Sequence, residues 1–159
     1  MRTLILLRHA SAEPLAAGQA DADRSLSERG RHEAEASGRW LAEHELLPER
    51  TVCSPSARTR QTAELAGAGL GGLDVVEDAR IYEATPGELI RVIDAHADCG
   101  RLLLVGHNPG IEQLLALLTE GASDAGRGLP TSGVAVLDFD GGTAVEPGCA
   151  QLVAYWRPE

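Results

Sequence analysis

Two short apolar runs in this chain each end in polar residues that include a histidine. Residues 4–7 and 102–105 consist of Leu, Ile and Val alone, and continuous apolar runs of this length are typical of buried strands. Helical patterns lie between the strand patterns, and this alternation favours a mostly parallel sheet covered by helices on both faces. We therefore predict an α/β fold with three layers. The length of 159 residues fits one domain over residues 1–159.

The C-terminal part of the chain predicts a different strand pairing. Two strand patterns, at residues 134–139 and 151–155, are joined through the turn sequence Asp140-Gly141-Gly142. Strands joined in this way are typically antiparallel. We therefore expect one antiparallel strand at the edge of the sheet.

Capping residues predict where helices begin. A capping box that starts at Ser25 predicts a helix up to about Glu43. Thr85 starts a second capping box, and Asn108 is the predicted cap of the last helix. Residues 13–25 show no clear period and predict a loop over the sheet edge. Loops in this position often close a ligand site.

Charge and composition exclude several classes of function. The net charge of −10 argues against nucleic acid or an anionic membrane as a partner, because both attract basic surfaces. All 14 basic residues are Arg, which excludes a Schiff-base lysine and a Walker A lysine. Three widely spaced cysteines fit a reducing compartment rather than a disulfide framework, so we expect a cytoplasmic protein. They are Cys53, Cys99 and Cys149.

Two arginines and two histidines follow predicted strands. Arg8 and His9 follow the first apolar run, Arg58 follows a short strand pattern at residues 50–53, and His107 follows the second run. The carboxyl ends of neighbouring parallel strands lie side by side, so we expect these side chains in one pocket. Arginine side chains and helix N-termini both bind phosphoryl oxygens. The predicted ligand is therefore a phosphoryl group.

One carboxylate could complete this pocket. Glu83 lies just before the helix predicted at Thr85, where it could protonate a leaving oxygen as a general acid. An ordinary solvated loop carboxylate fits the local sequence nearly as well. The other histidines lie on predicted helices without partners and are interpreted as structural. They are His32, His44 and His96.

The motifs around these residues resemble those of a known family. They are, in chain order, Leu7-Arg8-His9-Ala10, then Ser54-Pro55-Ser56-Ala57-Arg58 with Gln61-Thr62-Ala63, then Gly106-His107-Asn108. These motifs and their order are similar to those of the histidine phosphatase superfamily. Ala10, where the wider superfamily usually has Gly, and residues 23–30 resemble its SixA-like phosphohistidine phosphatases.

The resemblance implies a phosphoglycerate mutase-like fold with a site for phosphoryl transfer. It implies that His9 is the nucleophile that becomes phosphorylated. Arg8, Arg58 and His107 would bind the phosphoryl group and stabilise its charge. Arg24 is carried over as a further substrate contact, although the residue after it is not the Pro that this branch commonly has. No metal and no cofactor are implied.

The spacing between Arg58 and His107 leaves little room for an inserted cap, which predicts an open pocket. An open pocket suits a phosphoryl group on a protein, such as a phosphohistidine on a histidine phosphotransfer domain. We therefore expect a metal-independent phosphohistidine phosphatase. A phosphatase of small phosphate esters from the same superfamily and a non-catalytic phosphate-binding scaffold are the alternatives. A mutase is disfavoured because it needs a closed pocket that excludes water.

Cys53 raises a further alternative, a cysteine-dependent phosphatase. Four residues separate Cys53 from Arg58, one fewer than the phosphate cradle of such enzymes needs. We therefore interpret Cys53 as a small buried residue at a strand end. No closely spaced pair of His or Cys residues indicates zinc.

Overall fold

A six-stranded sheet forms the centre of the protein. The computed structural model describes residues 1–124, 126, 128–142 and 144–159. The strands are β1 (Arg2–Arg8), β2 (Arg50–Cys53), β3 (Val75–Glu77), β4 (Arg101–Gly106), β5 (Val134–Phe139) and β6 (Gln151–Trp156). Across the sheet they lie in the order β3-β2-β4-β1-β5-β6.

Four neighbouring strands of this sheet are parallel. β1 pairs with β4, β4 with β2, and β2 with β3 in this way, which confirms the mostly parallel sheet. β5 pairs antiparallel with β1, and β6 pairs antiparallel with β5. The edge strand β6 is thus paired antiparallel, as expected, and β5 beside it is also paired antiparallel on both sides. β5 is buried along most of its length, and β6 covers its outer side.

Helices cover both faces of the sheet and confirm the three layers. They are α1 (Glu28–Glu43), α2 (Ala57–Ala68), α3 (Pro86–Ala95) and α4 (Gly110–Glu120). Alternate side chains of β1 point to opposite faces. Ile5 and Leu7 pack with α1 and α2, whereas Leu4 and Leu6 pack with α3 and α4. Among the described residues, none of the helices combines the length and the apolar character needed to cross a membrane.

The helix starts agree only in part with the predicted caps. Thr85 caps α3 and forms the predicted capping box. Ser27, rather than Ser25, caps α1 by accepting a hydrogen bond from the Gly30 backbone N–H at 3.0 Å. α4 begins without a side-chain cap. Asn108 does not cap it: within the described residues its Oδ1, the atom that would accept from the helix, has no hydrogen-bond partner, while its amide nitrogen donates to Glu112 and to a backbone carbonyl.

The loop between β1 and α1 lies over the carboxyl end of the sheet, as predicted. It contains a 3-10 turn at Asp21–Asp23. A glycine is needed where the loop meets α1, because a Cβ on Gly30 would lie 1.9 Å from the carbonyl oxygen of Ser11. This close approach holds the residues that follow His9 against α1.

Candidate active site

All six of the polar residues singled out from the sequence line one pocket at the carboxyl end of the sheet. Its volume is about 720 Å³. β1, β4 and β2 are parallel neighbours, so their carboxyl ends lie side by side there. Arg8 and His9 lie at the end of β1, and His107 directly follows β4. α2 carries its site residue in the first turn after β2. The six are Arg8, His9, Arg24, Arg58, Glu83 and His107.

His9 is held with one ring nitrogen towards the backbone. Its Nδ1 lies 2.8 Å from the carbonyl oxygen of Ala10. A carbonyl oxygen only accepts hydrogen bonds, so Nδ1 carries the proton and donates it. In the neutral ring, Nε2 then has the lone pair. This orientation by a backbone carbonyl is the one that a histidine nucleophile requires.

His9 is neutral at pH 7. Its pKa is lowered from 6.5 to about 4, chiefly because burial disfavours the charged ring. The positive charges of Arg58, Arg8 and Arg24 lower the pKa further, whereas the hydrogen bond to Ala10 opposes the shift. Burial thus contributes more to the neutral state than the cations do.

His107 faces His9, with 5.4 Å between the ring centroids. Its Nε2 lies 2.8 Å from the Ser54 hydroxyl, and its Nδ1 lies 3.3 Å from Nη2 of Arg58. A guanidinium only donates, so Nδ1 accepts and the proton lies on Nε2. Burial is the main reason why the pKa of His107 is lowered to about 3. A bound phosphoryl dianion would favour the protonated ring, which could then donate from Nδ1.

Arg58 is anchored by a residue that the sequence analysis did not single out. The Arg58 side chain is 8% exposed and forms an ion pair of 2.9 Å with Asp21. The same carboxylate accepts a hydrogen bond from Tyr82 and another from Arg24. These three donors hold the pKa of Asp21 well below its usual range, the Tyr82 hydroxyl most strongly. One sequence feature could have pointed to Asp21 as a site residue: it lies in the loop that was predicted to cover the edge of the sheet.

Arg8 is fixed by the segment before β5. Its Nη1 donates to the carbonyl oxygen of Leu129 at 3.2 Å, and Asn108 donates to the same oxygen at 2.9 Å. The backbone N–H of Ser132 donates to the carbonyl oxygens of Arg8 and His9. Within the described part of the chain, Nε of Arg8 is buried and has no hydrogen-bond partner. Sequence patterns gave no sign of these long-range contacts.

Glu83 lines the pocket in an unusual backbone conformation. Its φ of 53° lies in the left-handed region, which is uncommon for residues other than Gly. Such strained positions cluster at functional sites. The side chain is exposed, and no described residue makes a hydrogen bond to its carboxylate.

The remaining candidates lie outside the pocket lining. His32, His44 and His96 take no part in it. Cys53 is fully buried, and burial raises the pKa of its thiol from 9.0 to about 11. A neutral buried thiol is a poor nucleophile, which contradicts a cysteine-dependent phosphatase. Among the described residues, no three His, Cys, Asp or Glu side chains are grouped so that they could hold a metal ion.

The lowered pKa of His9 predicts the pH at which its ring titrates. Since the charged form is disfavoured, the ring is expected to stay neutral from pH 8 down to the region of its pKa of about 4. ¹⁵N NMR of the imidazole nitrogens, with assignment by His9→Gln, measures this titration. A midpoint near 6.5, the ordinary histidine value, would contradict the buried neutral state.

Comparisons with known proteins identify the family and support the fold. The family model for the histidine phosphatase superfamily (branch 1) matches residues 4–94. The candidate phosphohistidine phosphatase SixA from Agrobacterium tumefaciens is 32% identical, with a TM-score of 0.85 and 99% of each chain covered. Its counterpart from Nakamurella multipartitia is 31% identical, with a TM-score of 0.83 and coverage of 99% and 96%. An uncharacterized protein of Mycobacterium tuberculosis is 40% identical over 162 residues, covering 96% of this chain and 99% of the relative.

Proposed function

This chain belongs to the histidine phosphatase superfamily and to its SixA-like branch, and on that premise we propose that it hydrolyses protein phosphohistidine through a phosphorylated His9. That it is a phosphatase follows from the family. One observation carries the proposal: a neutral His9 presents Nε2 within a pocket that contains Arg8, Arg24 and Arg58. A neutral imidazole can attack phosphorus, and the surrounding guanidiniums stabilise the transferred charge.

In the proposed first step, Nε2 of His9 attacks the phosphorus atom in line with the leaving group. The bond from phosphorus to the substrate's imidazole nitrogen breaks, and that ring keeps the bonding electrons. Because its other nitrogen is already protonated, it leaves as a neutral imidazole and needs no proton from the enzyme. Arg8, Arg58 and His107 bind the three equatorial oxygens, whose charge is spread in a loose transition state. In the second step, the oxygen of a water molecule attacks the phosphorus atom and the bond from phosphorus to Nε2 breaks, with its electron pair returning to the His9 ring. Inorganic phosphate leaves with the new oxygen, the proton that water loses passes to phosphate or solvent, and His9 is neutral again.

The pocket has no covering element in the segment where a cap would be inserted. Between Arg58 and His107 the chain contains only α2, β3, a 3-10 turn at Ala79–Ile81, α3 and β4. Each of these belongs to the sheet or to its helical layers. We therefore propose a single domain over residues 1–159 without a cap, whose pocket admits a phosphoryl group on a protein surface.

The charge, the arginines and the free thiols of the chain support further proposals on its partners, cofactors and location. A histidine phosphotransfer domain is the partner we propose, and neither nucleic acid nor a membrane, in keeping with the net charge of −10. The reaction is proposed to need neither a metal nor another cofactor, since the arginines can supply the charge stabilisation. A cytoplasmic location is proposed because Cys53, Cys99 and Cys149 are free thiols.

Competing substrates test the proposed substrate class. We would measure kcat/KM for a phosphorylated histidine phosphotransfer domain and for aryl and sugar phosphate esters, each in the presence of EDTA. The proposal expects preference for the phosphohistidine protein and no effect of EDTA. Preference for a small ester would favour a phosphatase of small phosphate esters. Absence of turnover on all of these substrates would favour a phosphate-binding scaffold.

The position of Glu83 favours the second candidate, a phosphatase of small phosphate esters. An ester has an oxygen leaving group that needs a proton, and the carboxylate of Glu83 lines the pocket where such a group would lie. A phosphohistidine has a nitrogen leaving group, which needs less assistance from an acid.

Glu83→Gln distinguishes the two candidates. Because the amide cannot donate a proton as a general acid, turnover of an aryl phosphate is expected to fall by about 10²-fold, while turnover of phosphohistidine is largely retained. Steady-state kinetics on both substrates measures the difference. Glu64→Gln, at an exposed site on α2 away from the pocket, is the control. Equal losses on both substrates would contradict a dispensable acid.

A further inference from the structure

Asp21 binds three side chains around the pocket at the same time. Its Oδ2 accepts hydrogen bonds from Nη2 of Arg58 at 2.9 Å and from the Tyr82 hydroxyl at 2.5 Å. Its Oδ1 accepts from Nη1 of Arg24 at 3.2 Å. Its backbone carbonyl oxygen accepts from Nη1 of Arg58 at 2.9 Å. One residue of the loop thus links α2 and the segment before α3.

We propose that Asp21 is a positioning residue that fixes Arg58 and Arg24 in the orientation that receives the phosphoryl group. This inference rests on the proposed function, because it assigns a role within the same site. Asp21 acts through the two arginines, whereas the phosphoryl group is bound by the arginines themselves.

The contacts of Arg58 show how its orientation is set. A guanidinium is planar, so hydrogen bonds at both terminal nitrogens fix its plane. Asp21 supplies both of these bonds. The remaining Nη2 hydrogen is directed towards Nδ1 of His107 at 3.3 Å. This long bond to a neutral ring is weaker than a charge-assisted bond, so a phosphoryl oxygen could replace it.

Arg24 is also oriented by Asp21, through one of its terminal nitrogens. Its Nε donates to the carbonyl oxygen of Glu13 at 3.0 Å, and its Nη1 donates to Asp21. Both contacts lie within the loop, and Arg24 has no strand or helix of its own. The two oxygens of a single carboxylate therefore set the spacing between the two guanidiniums.

Loss of the Asp21 charge is expected to weaken anion binding if Asp21 positions the arginines. Two other roles for Asp21 predict tighter anion binding instead. As a mere counter-charge, Asp21 would repel a dianion, and its neutralisation would tighten binding. As a plug that occupies the arginines in place of phosphate, its removal would also tighten binding. A positioning role predicts weaker binding, because the arginines must then be ordered when the anion binds.

Calorimetric titration of tungstate, a tetrahedral oxyanion, into the wild type and Asp21→Asn measures whether the substitution weakens or tightens anion binding. We expect about tenfold weaker binding for Asp21→Asn, the consequence of ordering two arginine side chains. Asp23→Asn removes the same charge from an exposed site in the same turn and is expected to bind like the wild type. Equal or tighter binding by Asp21→Asn would overturn the proposal.

A double-mutant cycle separates positioning from a general effect on the fold. In an Arg58→Ala background, Asp21→Asn is expected to weaken tungstate binding much less than in the wild type, since the two residues act together. An undiminished loss in that background would overturn the proposal. Should Asp21→Asn fail to fold, Tyr82→Phe carries the test, because it removes one bond to the same carboxylate. It should also weaken binding, and unchanged binding would count against the proposal.

The titration distinguishes failure of this inference from failure of the proposed function. A wild type that neither binds tungstate nor turns over a phosphorylated substrate contradicts the proposed function. A wild type that does both, while Asp21→Asn binds tungstate equally well, contradicts only the positioning role.

Discussion

His9→Ala is expected to lower kcat/KM for a phosphohistidine protein by at least about 10³-fold, because removal of a covalent nucleophile leaves only binding and charge stabilisation. The measurement is steady-state kinetics in EDTA, with initial rates of phosphate release. The buried neutral ring of His9 is the only group for which we propose attack on phosphorus. Its loss should therefore affect kcat, whereas tungstate should still bind.

His32→Ala is the matched control for this change. His32 lies on α1, is exposed and takes no part in the pocket. We expect its substitution to leave kcat/KM within about twofold of the wild type, as is usual for surface sites. Substantial turnover by His9→Ala in EDTA would contradict a phosphohistidine mechanism.

Arg58→Ala is expected to lower kcat/KM by about 10²- to 10³-fold, the range for loss of one donor to developing charge. The side chain is 8% exposed and contacts both Asp21 and His107. Arg58→Lys should recover little of this loss, since an ammonium group cannot reproduce the planar guanidinium contacts. Kinetics on the same substrate measures both variants.

Arg60→Ala controls for the loss of an arginine from α2. Arg60 is about half exposed and pairs loosely with Glu77 at 3.9 Å, outside the pocket. Its substitution should leave turnover nearly unchanged. If Arg58→Ala and Arg60→Ala lost the same activity, or if Arg58→Lys were as active as the wild type, a specific role of the Arg58 guanidinium would be contradicted.

The sequence could predict which side chains converge in the pocket, because this convergence depends on local patterns. These side chains are Arg8, His9, Arg58 and His107. Arg8, His9 and His107 lie at or just after the ends of two evident apolar runs, and Arg58 follows the short strand pattern of β2. Parallel strands bring such residues to one edge of the sheet. The capping box at Thr85 could also be predicted from the sequence, since its hydrogen bonds join residues that are close together in the chain. Local chemistry thus determined both the strand ends and this helix start.

Features that depend on distant parts of the chain could not be predicted in this way. Asp21 meets Arg58 and Tyr82 only after the loop folds over the sheet, at separations of 37 and 61 residues. Ser27 caps α1 in place of the predicted Ser25, and its backbone N–H and hydroxyl both donate to the carbonyl oxygen of Ser11, a contact that forms only when the loop folds back. The local pattern of β5 does not show that it pairs with β1 on one side and with β6 on the other, because its two partners are distant segments of the chain.

Identification of the phosphorylated residue tests the central claim most directly. The wild type and His9→Ala would be mixed with a ³²P-labelled phosphohistidine protein, quenched within milliseconds and analysed for label that is stable in alkali and labile in acid. The account predicts such a label on the wild type, located at His9 by peptide mapping, and no label on His9→Ala. An equal label on both proteins, or an acid-stable label on another residue, would contradict a phosphorylated His9 intermediate.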